Sequence, residues 1–87
     1  PLIRGEITEL NKDGETVELL VEGEIEEDTE YDKAKVTLHE CTKIHRNKEE
    51  VKAEDLEEGM TVEIYYRGGV DMSYPVLMGA DKIIILE

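Results

Sequence analysis

The residues best suited to chemistry in this chain are His39, Cys41 and His45, which stand at alternate positions of one stretch. On a continuous strand they would share a face, but His39 and His45 would lie roughly 20 Å apart because a strand rises about 3.3 Å per residue. Only a bend at Glu40 and Cys41 would gather them around one ion. The spacing also lacks the four ligands typical of structural zinc. Metal handling by these three residues is therefore the alternative function.

Other catalytic patterns are missing from the sequence. A Cys41–histidine nucleophile would need the same bend, and no third residue to orient the histidine is evident. Carboxylate pairs are uninformative because 23 of the 87 residues are acidic. The acidic stretch 26–32 lacks the spacing and central glycine of a calcium loop, and no phosphate-binding glycine loop occurs. The sequence favours a protein that is not an enzyme, and it implies no cofactor.

A different candidate site lies in segment 67–83, which is poor in charge and carries three glycines and two methionines. Methionine side chains adapt to varied partners, and tyrosine offers a ring with a polar tip. This composition is typical of a loop that binds a ligand or a protein. The expected ligand-binding residues are Tyr66, Arg67, Met72, Tyr74 and Met78.

The same segment has a structural interpretation, in which it fills the open end of a small barrel that has no Phe or Trp. The ring of Tyr74 would then pack near Tyr66, and Met72 would be more exposed than Met78. Because Pro75 cannot donate a ladder hydrogen bond, we expect the Tyr74–Pro75 pair at a sheet edge or a bulge.

The elements that position these residues are strands. Residues 3–8 and 16–25 alternate between apolar and polar with a period of two, with Ile25 on the buried face. A turn from Asn11 to Gly14 joins them, with glycine where a positive φ is needed. In the expected register Ile7 faces Leu19. Gly5 then faces Val21 and Ile3 faces Gly23, so that a large side chain lies opposite each glycine. On the outer face Arg4 lies opposite Glu22, which has the opposite charge.

The rest of the chain continues in the same way. Residues 34–38 alternate, 42–45 follow after a break, and 47–49 form a turn. Residues 51–59 predict one helical turn, anchored by Leu56 and ended by Gly59 in the left-handed conformation. Final strands are expected near 62–66 and 82–86.

This order predicts a single, mostly β domain over residues 1–87. The expected fold is a five-stranded OB-like Greek-key barrel with one short helical turn before strand four. An SH3-like barrel and an open five-stranded roll are the alternatives.

The net charge of −13 restricts the partners. Binding to a phosphate backbone depends on Lys and Arg, so we expect no nucleic-acid binding. No apolar run approaches the roughly 20 residues that span a bilayer, so no direct membrane insertion is expected. The high charge favours a soluble monomer, and the partner is an unknown protein or small ligand.

The last third of the chain resembles the YobA-like domains of unknown function found in secreted and lipid-anchored bacterial proteins. The resemblance rests on Leu56 and Gly59 before a strand and on Ser73-Tyr74-Pro75 running toward the last strand, with Ala80 before it. It implies a small OB-type barrel and an extracytoplasmic location. It implies no reaction.

Overall fold

The computed structural model describes residues 1–13 and 16–86. These residues form eight strands and one short 3₁₀ helix, so the expectation of a mostly β fold is confirmed. The elements are β1 (Ile3–Asp13), β2 (Thr16–Glu22), β3 (Lys33–Leu38), β4 (Lys43–Arg46), β5 (Glu49–Val51), the 3₁₀ helix (Ala53–Asp55), β6 (Thr61–Tyr65), β7 (Val76–Gly79) and β8 (Lys82–Leu86).

All eight described strands belong to one sheet, in the order β5-β4-β8-β6-β1-β2-β3-β7. Neighbours are antiparallel except for β3 with β7 and β4 with β8, which are parallel. The sheet ends at β5 and β7 and is not closed. It has three strands more than expected, because the third strand is interrupted at residues 39–42 and because β5 and β7 were predicted as turn and loop.

The interruption between β3 and β4 is held by hydrogen bonds of Thr42. Its hydroxyl donates to the Ala80 carbonyl at 2.6 Å, and the His39 amide donates to the same hydroxyl at 3.0 Å. The Thr42 amide in turn donates to the His39 carbonyl. The predicted break therefore forms a closed turn that redirects the chain from β2 toward β8.

The β1–β2 pairing differs from the predicted register. Ile7 pairs with Val21 rather than with Leu19, which pairs with Leu10. The register shifts between Ile7 and Glu9, so that one extra residue, Thr8, lies on β1 as a bulge. A bulge inserts a residue without a partner. The periodicity of each strand was right, but alternation cannot reveal a shift of two residues, which keeps the same face inward.

The ends of the hairpin also differ from expectation. β1 continues through Asn11, Lys12 and Asp13, where a turn was predicted, and Gly14 lies outside the described residues. At the other end β2 stops at Glu22, and Ile25 is 61% exposed instead of buried.

The core lies between the inward faces of the sheet. Leu56 is fully buried after the 3₁₀ helix, and Gly59 has a φ of 93°, both as predicted. The turn between β4 and β5 places Asn47 and Lys48 in the left-handed region. The other buried apolar residues are Ile3, Ile7, Leu19, Val21, Ala34, Val36, Leu38, Ile44, Val62, Ile64, Val76, Met78, Ala80, Ile83 and Ile85.

The segment between β6 and β8 contains β7, an edge strand paired with β3. Pro75 directly precedes the edge strand β7, as predicted. The Tyr74–Pro75 peptide bond is cis. Met78 is 5% exposed and Met72 is 72% exposed, as expected. The predicted packing of Tyr74 over the core is wrong, since Tyr74 is 70% exposed.

Candidate functional site

The structure separates the five predicted ligand-binding residues into three places. Met78 belongs to the core. Tyr66 and Arg67 follow the end of β6 and line a surface cavity. Met72 and Tyr74 lie on the exposed connection between β6 and β7. Tyr66 and Met78 also line a common groove, but the five residues fall on separate surfaces.

The first surface consists of Met72 and Tyr74 with Tyr31 and Asp32, and we call it the Met72–Tyr74 patch. The Tyr31 hydroxyl donates to the Met72 sulfur at 3.6 Å. The Tyr74 hydroxyl donates to the Asp32 carboxylate at 3.4 Å. These contacts connect the β6–β7 segment with the residues just before β3. The patch therefore combines two strongly exposed side chains with two that support them.

The Met72–Tyr74 patch borders an acidic loop, residues 23–32, which links β2 with β3. Gly23 donates its amide to the Asp32 carbonyl, and the Glu26 amide donates to the buried hydroxyl of Thr29 at 2.7 Å. These bonds hold the backbone of the loop while its acidic side chains face solvent. The exposed acids of this acidic loop are Glu24, Glu26, Glu27, Asp28, Glu30 and Asp32.

Arg4 joins the acidic loop to the sheet. Its guanidinium donates to Glu63 at 2.8 and 2.6 Å and to Asp28 at 3.0 and 2.6 Å, and Glu26 lies 3.3 Å away. The bond from Arg4 holds the pKa of Asp28 below its usual value, and Asp28 and Glu63 together raise the pKa of Arg4. The predicted pairing of Arg4 with Glu22 is wrong, because β6 is the neighbour of β1 at this position.

The second surface is a cavity of about 610 Å³ at the end of β6 and the start of β8, which we call the tyrosine cavity. Tyr65 and Lys82 are cross-strand partners, and the Lys82 ammonium lies 4.9 Å from the centroid of the Tyr65 ring. Burial, followed by the negative charge of Glu63, raises the pKa of the Tyr65 hydroxyl. The lining residues are Pro1, Leu2, Tyr65, Tyr66, Arg67, Asp81 and Lys82.

Glycines fix the position of the Tyr66 ring. A methyl group on Gly79 would lie 3.0 Å from the Cε1 atom of Tyr66, and one on Gly68 would overlap the Tyr66 hydroxyl. The absence of side chains at both positions lets the half-buried ring lie against the backbone.

The three residues of the alternative metal site do not form one. The turn brings the Cys41 amide within 3.2 Å of the His39 Nδ1 atom, whereas His45 lies within β4. Both His39 and Cys41 are exposed. Among residues 1–13 and 16–86, no group of three or more His, Cys, Asp or Glu side chains is placed to hold a metal ion.

Sequence reasoning missed Tyr31, Tyr65 and Lys82. Tyr65 and Lys82 occupy outward positions of predicted strands, so strand alternation alone could have placed both on the outer face. Their pairing required the β6–β8 register. Tyr31 lies in the stretch interpreted only as a polar loop, and nothing local connects it with Met72, 41 residues away.

Comparison with protein-family models, curated proteins and solved structures finds no match to this chain. Within the described part of the chain, no helix is both long and apolar enough to cross a membrane.

Proposed function

We propose that this chain is a non-enzymatic interaction module that binds a partner protein through the Met72–Tyr74 patch. The observation that carries this proposal is the exposure of Met72 and Tyr74, at 72% and 70%, which exceeds that of the other exposed large apolar residues described, Ile25 and Leu77. Tyrosine and methionine are enriched where proteins meet. Exposed apolar groups rimmed by polar residues often mark such contact sites.

The neighbouring acidic loop defines the chemistry of the partner. The acidic loop has six exposed acids, of which Asp32 belongs to the patch and Glu26 and Asp28 contact Arg4. A partner with an apolar anchor surrounded by Lys and Arg would complement both parts of this surface. Complementary charge steers association and excludes competitors of the same sign. The partner is therefore a basic protein surface rather than a nucleic acid or an anionic membrane, both of which the net charge of −13 repels.

Tyr31 and Asp32 contact the exposed side chains of Met72 and Tyr74. These contacts favour binding without large rearrangement. Each exposed side chain makes a polar contact with the stretch before β3, at 3.6 Å for Met72 and 3.4 Å for Tyr74. A side chain that is already held loses less conformational entropy when a partner docks. The patch is thus better prepared for binding than two isolated exposed side chains would be.

A groove of about 580 Å³ on the outer face of β2, β3 and β7 is less suited to this role. Lys35 and Glu18 form an ion pair across it at 3.1 Å, so these two charges already satisfy each other. The face of strands two and three is where OB folds usually bind oligonucleotides and oligosaccharides. Among the described residues of that face, Lys33 and Lys35 are paired with Glu22 and Glu18, so they form no unpaired basic row.

We further propose that the domain is an OB-like barrel. Strand pairing supports this assignment when β3 and β4 are taken as one bent third strand. The neighbours then run from β1 through β2, the bent strand, β8 and β6 back to β1. β7 is an addition at the edge of this arrangement, and β5 is a short extension from β4. The OB fold is itself a partly open five-stranded barrel.

The resemblance of the last third to YobA-like domains supports an extracytoplasmic location, in a secreted or lipid-anchored bacterial protein. The domain acts there as a monomer that presents its patch to a partner. The high net charge of one sign supports the monomeric state, because it opposes self-association.

The test is affinity capture from an envelope fraction with three immobilised proteins. These are the parent, the Met72→Ala/Tyr74→Ala variant, and the control Glu49→Ala/Glu50→Ala, which truncates exposed side chains on β5 at the opposite edge of the sheet. The parent and the control should retain the same basic protein, and the patch variant should lose it.

Capture should also weaken when salt is raised from about 0.05 M to about 0.5 M, because exposed charges are then screened. Equal capture by all three proteins would contradict the patch as the binding surface. Capture that grows stronger with salt would contradict the basic partner.

A further inference from the structure

The tyrosine cavity has features that a protein-docking patch does not need. We propose that it binds a small organic anion that carries an aromatic ring. This inference is independent of the proposed function, since the cavity and the Met72–Tyr74 patch share no residue.

The size and walls of the cavity fit a small molecule. Its volume of about 610 Å³ lies within the range of roughly 300–1,000 Å³ usual for ligand pockets. Its lining includes two tyrosines, Tyr65 and Tyr66, and the apolar residue Leu2. A flat aromatic ring matches such a surface because aromatic groups pack favourably in offset or edge-to-face arrangements.

Two cationic side chains, Arg67 and Lys82, belong to the cavity lining. They favour a ligand with a negative charge. Arg67 and Lys82 form no ion pair with any carboxylate among the described residues. Acids outnumber bases by 23 to 10 in this chain, whereas the cavity lining has two cationic side chains, Arg67 and Lys82, and one acidic side chain, Asp81. Two cationic residues that line one cavity are suited to a carboxylate or a phosphate.

The nearby carboxylates are already engaged elsewhere. Glu63 accepts two hydrogen bonds from Arg4. Asp81 accepts the backbone amide of Arg67 at 2.9 Å, and its other oxygen lies 3.8 Å from the His39 Nε2 atom. Neither carboxylate is bonded to the side chain of Arg67 or Lys82, which leaves both cations able to attract an external anion.

The walls are also held in place before any ligand arrives. The Tyr66 ring lies close to Gly68 and Gly79, where a side chain would meet it. Lys82 lies over the Tyr65 ring, and the Arg67 amide is tied to Asp81. Preorganised walls reduce the entropic cost of binding.

The experiment is a titration of the ¹⁵N-labelled protein, followed by amide chemical shifts, with three probes. The probe 2-naphthoate carries both the ring and the charge, 2-naphthamide carries the ring alone, and acetate carries the charge alone. We expect saturable shifts for Tyr65, Tyr66, Arg67 and Lys82 with 2-naphthoate, at a Kd of about 1 mM or below. The other two probes should bind at least about tenfold more weakly.

Two variants make the assignment specific. Arg67→Gln/Lys82→Gln should weaken 2-naphthoate at least about tenfold, which corresponds to about 1.4 kcal/mol. Lys48→Gln, which removes an exposed cation in the turn between β4 and β5, should leave the affinity unchanged. Both exchanges are at exposed positions, and the undisturbed amide spectrum of the remaining residues verifies the fold.

Three results would overturn the inference. They are the absence of saturable shifts with 2-naphthoate, equal affinity for the amide probe, and unchanged affinity in Arg67→Gln/Lys82→Gln. The capture experiment with the Met72→Ala/Tyr74→Ala variant reports on the other surface, so failure of either proposal is recognised separately.

Discussion

The backbones of Gly5, within β1, and Gly23, directly after β2, lie against each other. A methyl group on Gly23 would lie 2.8 Å from the Gly5 Cα atom, and one on Gly5 would lie 2.8 Å from the Gly23 nitrogen. The expected register placed each glycine opposite a larger residue. The structure instead places the two glycines together, which allows the chains to approach more closely than any side chain permits.

Adding a methyl group at this crossing should be costly. We expect Gly5→Ala and Gly23→Ala each to lower the free energy of unfolding by at least about 2 kcal/mol, because backbone atoms would have to move. The matched control is Gly69→Ala, where the added methyl group would have no atom within 4 Å. Urea unfolding measures the difference, and a Gly5→Ala variant as stable as Gly69→Ala would contradict the observed contact.

The two methionines of the β6–β7 region should differ in their effect on stability. Met78→Ala removes a side chain that is 5% exposed and should cost about 2–5 kcal/mol. Met72→Ala removes one that is 72% exposed and should change stability by less than about 0.5 kcal/mol. Thermal and urea melts measure the stability of both variants. Each variant is the control for the other, since the chemical change is identical. Similar losses in both would mean that the segment packs differently.

Tyr74→Ala tests the interpretation of this segment as a plug. If the ring closed the core, its removal would cost about 2–4 kcal/mol. Because the ring is 70% exposed, we expect a loss below about 0.5 kcal/mol. Tyr66→Ala is the comparison, since Tyr66 is half-buried and packs against the core. A larger loss for Tyr74 than for Tyr66 would restore the plug interpretation.

The ion pair between Arg4 and Asp28 predicts that the free energy of unfolding depends on pH, and this dependence can be assigned to Asp28. The pKa of Asp28 is lowered by its bond with Arg4, so its contribution to stability is complete above the unfolded-state value of about 3.9. The contribution is lost as the pH falls through the lower folded-state pKa. The free energy of unfolding of the parent should therefore exceed that of Asp28→Asn near neutral pH, and the excess should shrink below about pH 4.

Urea unfolding of parent and variant between about pH 7 and about pH 2 measures this excess. The control is Glu27→Gln, which removes an exposed charge from the same loop. Its difference from the parent should show no comparable decline toward acid. An excess that grows toward acid for Asp28→Asn would show that the carboxylate is not stabilised by Arg4.

The alternative metal site is tested directly with the thiol and the ions. Zinc and copper(I) should produce no stoichiometric rise in Tm, because His39, Cys41 and His45 are not gathered with a further ligand. Cys41→Ser should melt like the parent, since Cys41 is exposed. A rise in Tm with either metal that disappears in Cys41→Ser would favour the metal-handling function instead.

Local sequence patterns were sufficient for the elements whose signals are themselves local. Alternation located β3, a short apolar run located β8, and composition identified Leu56 as a buried anchor and Gly59 as a left-handed residue. These features depend on the period of side chains along a strand and on the φ angles open to glycine. Neither requires knowledge of distant residues.

The sequence identified candidate residues, but it did not show which of them lie together. The sequence singled out Tyr66, Arg67, Met72 and Tyr74 by their types, but it assigned them to one site. In the structure Tyr66 and Arg67 line the tyrosine cavity, whereas Met72 and Tyr74 lie on the exposed patch. The direction of each side chain depends on how the β6–β7 connection folds back, which no local period specifies.

Only the tertiary structure decided the pairings between distant residues. The observed pairing of Ile7 with Val21 differs by two residues from the expected pairing with Leu19 and leaves the same face inward, so the hydrophobic pattern is compatible with both registers. β7 pairs with β3 across more than forty residues, from Ala34 to Val76. Arg4 finds Glu63 rather than Glu22 for the same reason. Alternation determines which face of a strand is buried, whereas the packing of the whole sheet determines which strands lie side by side.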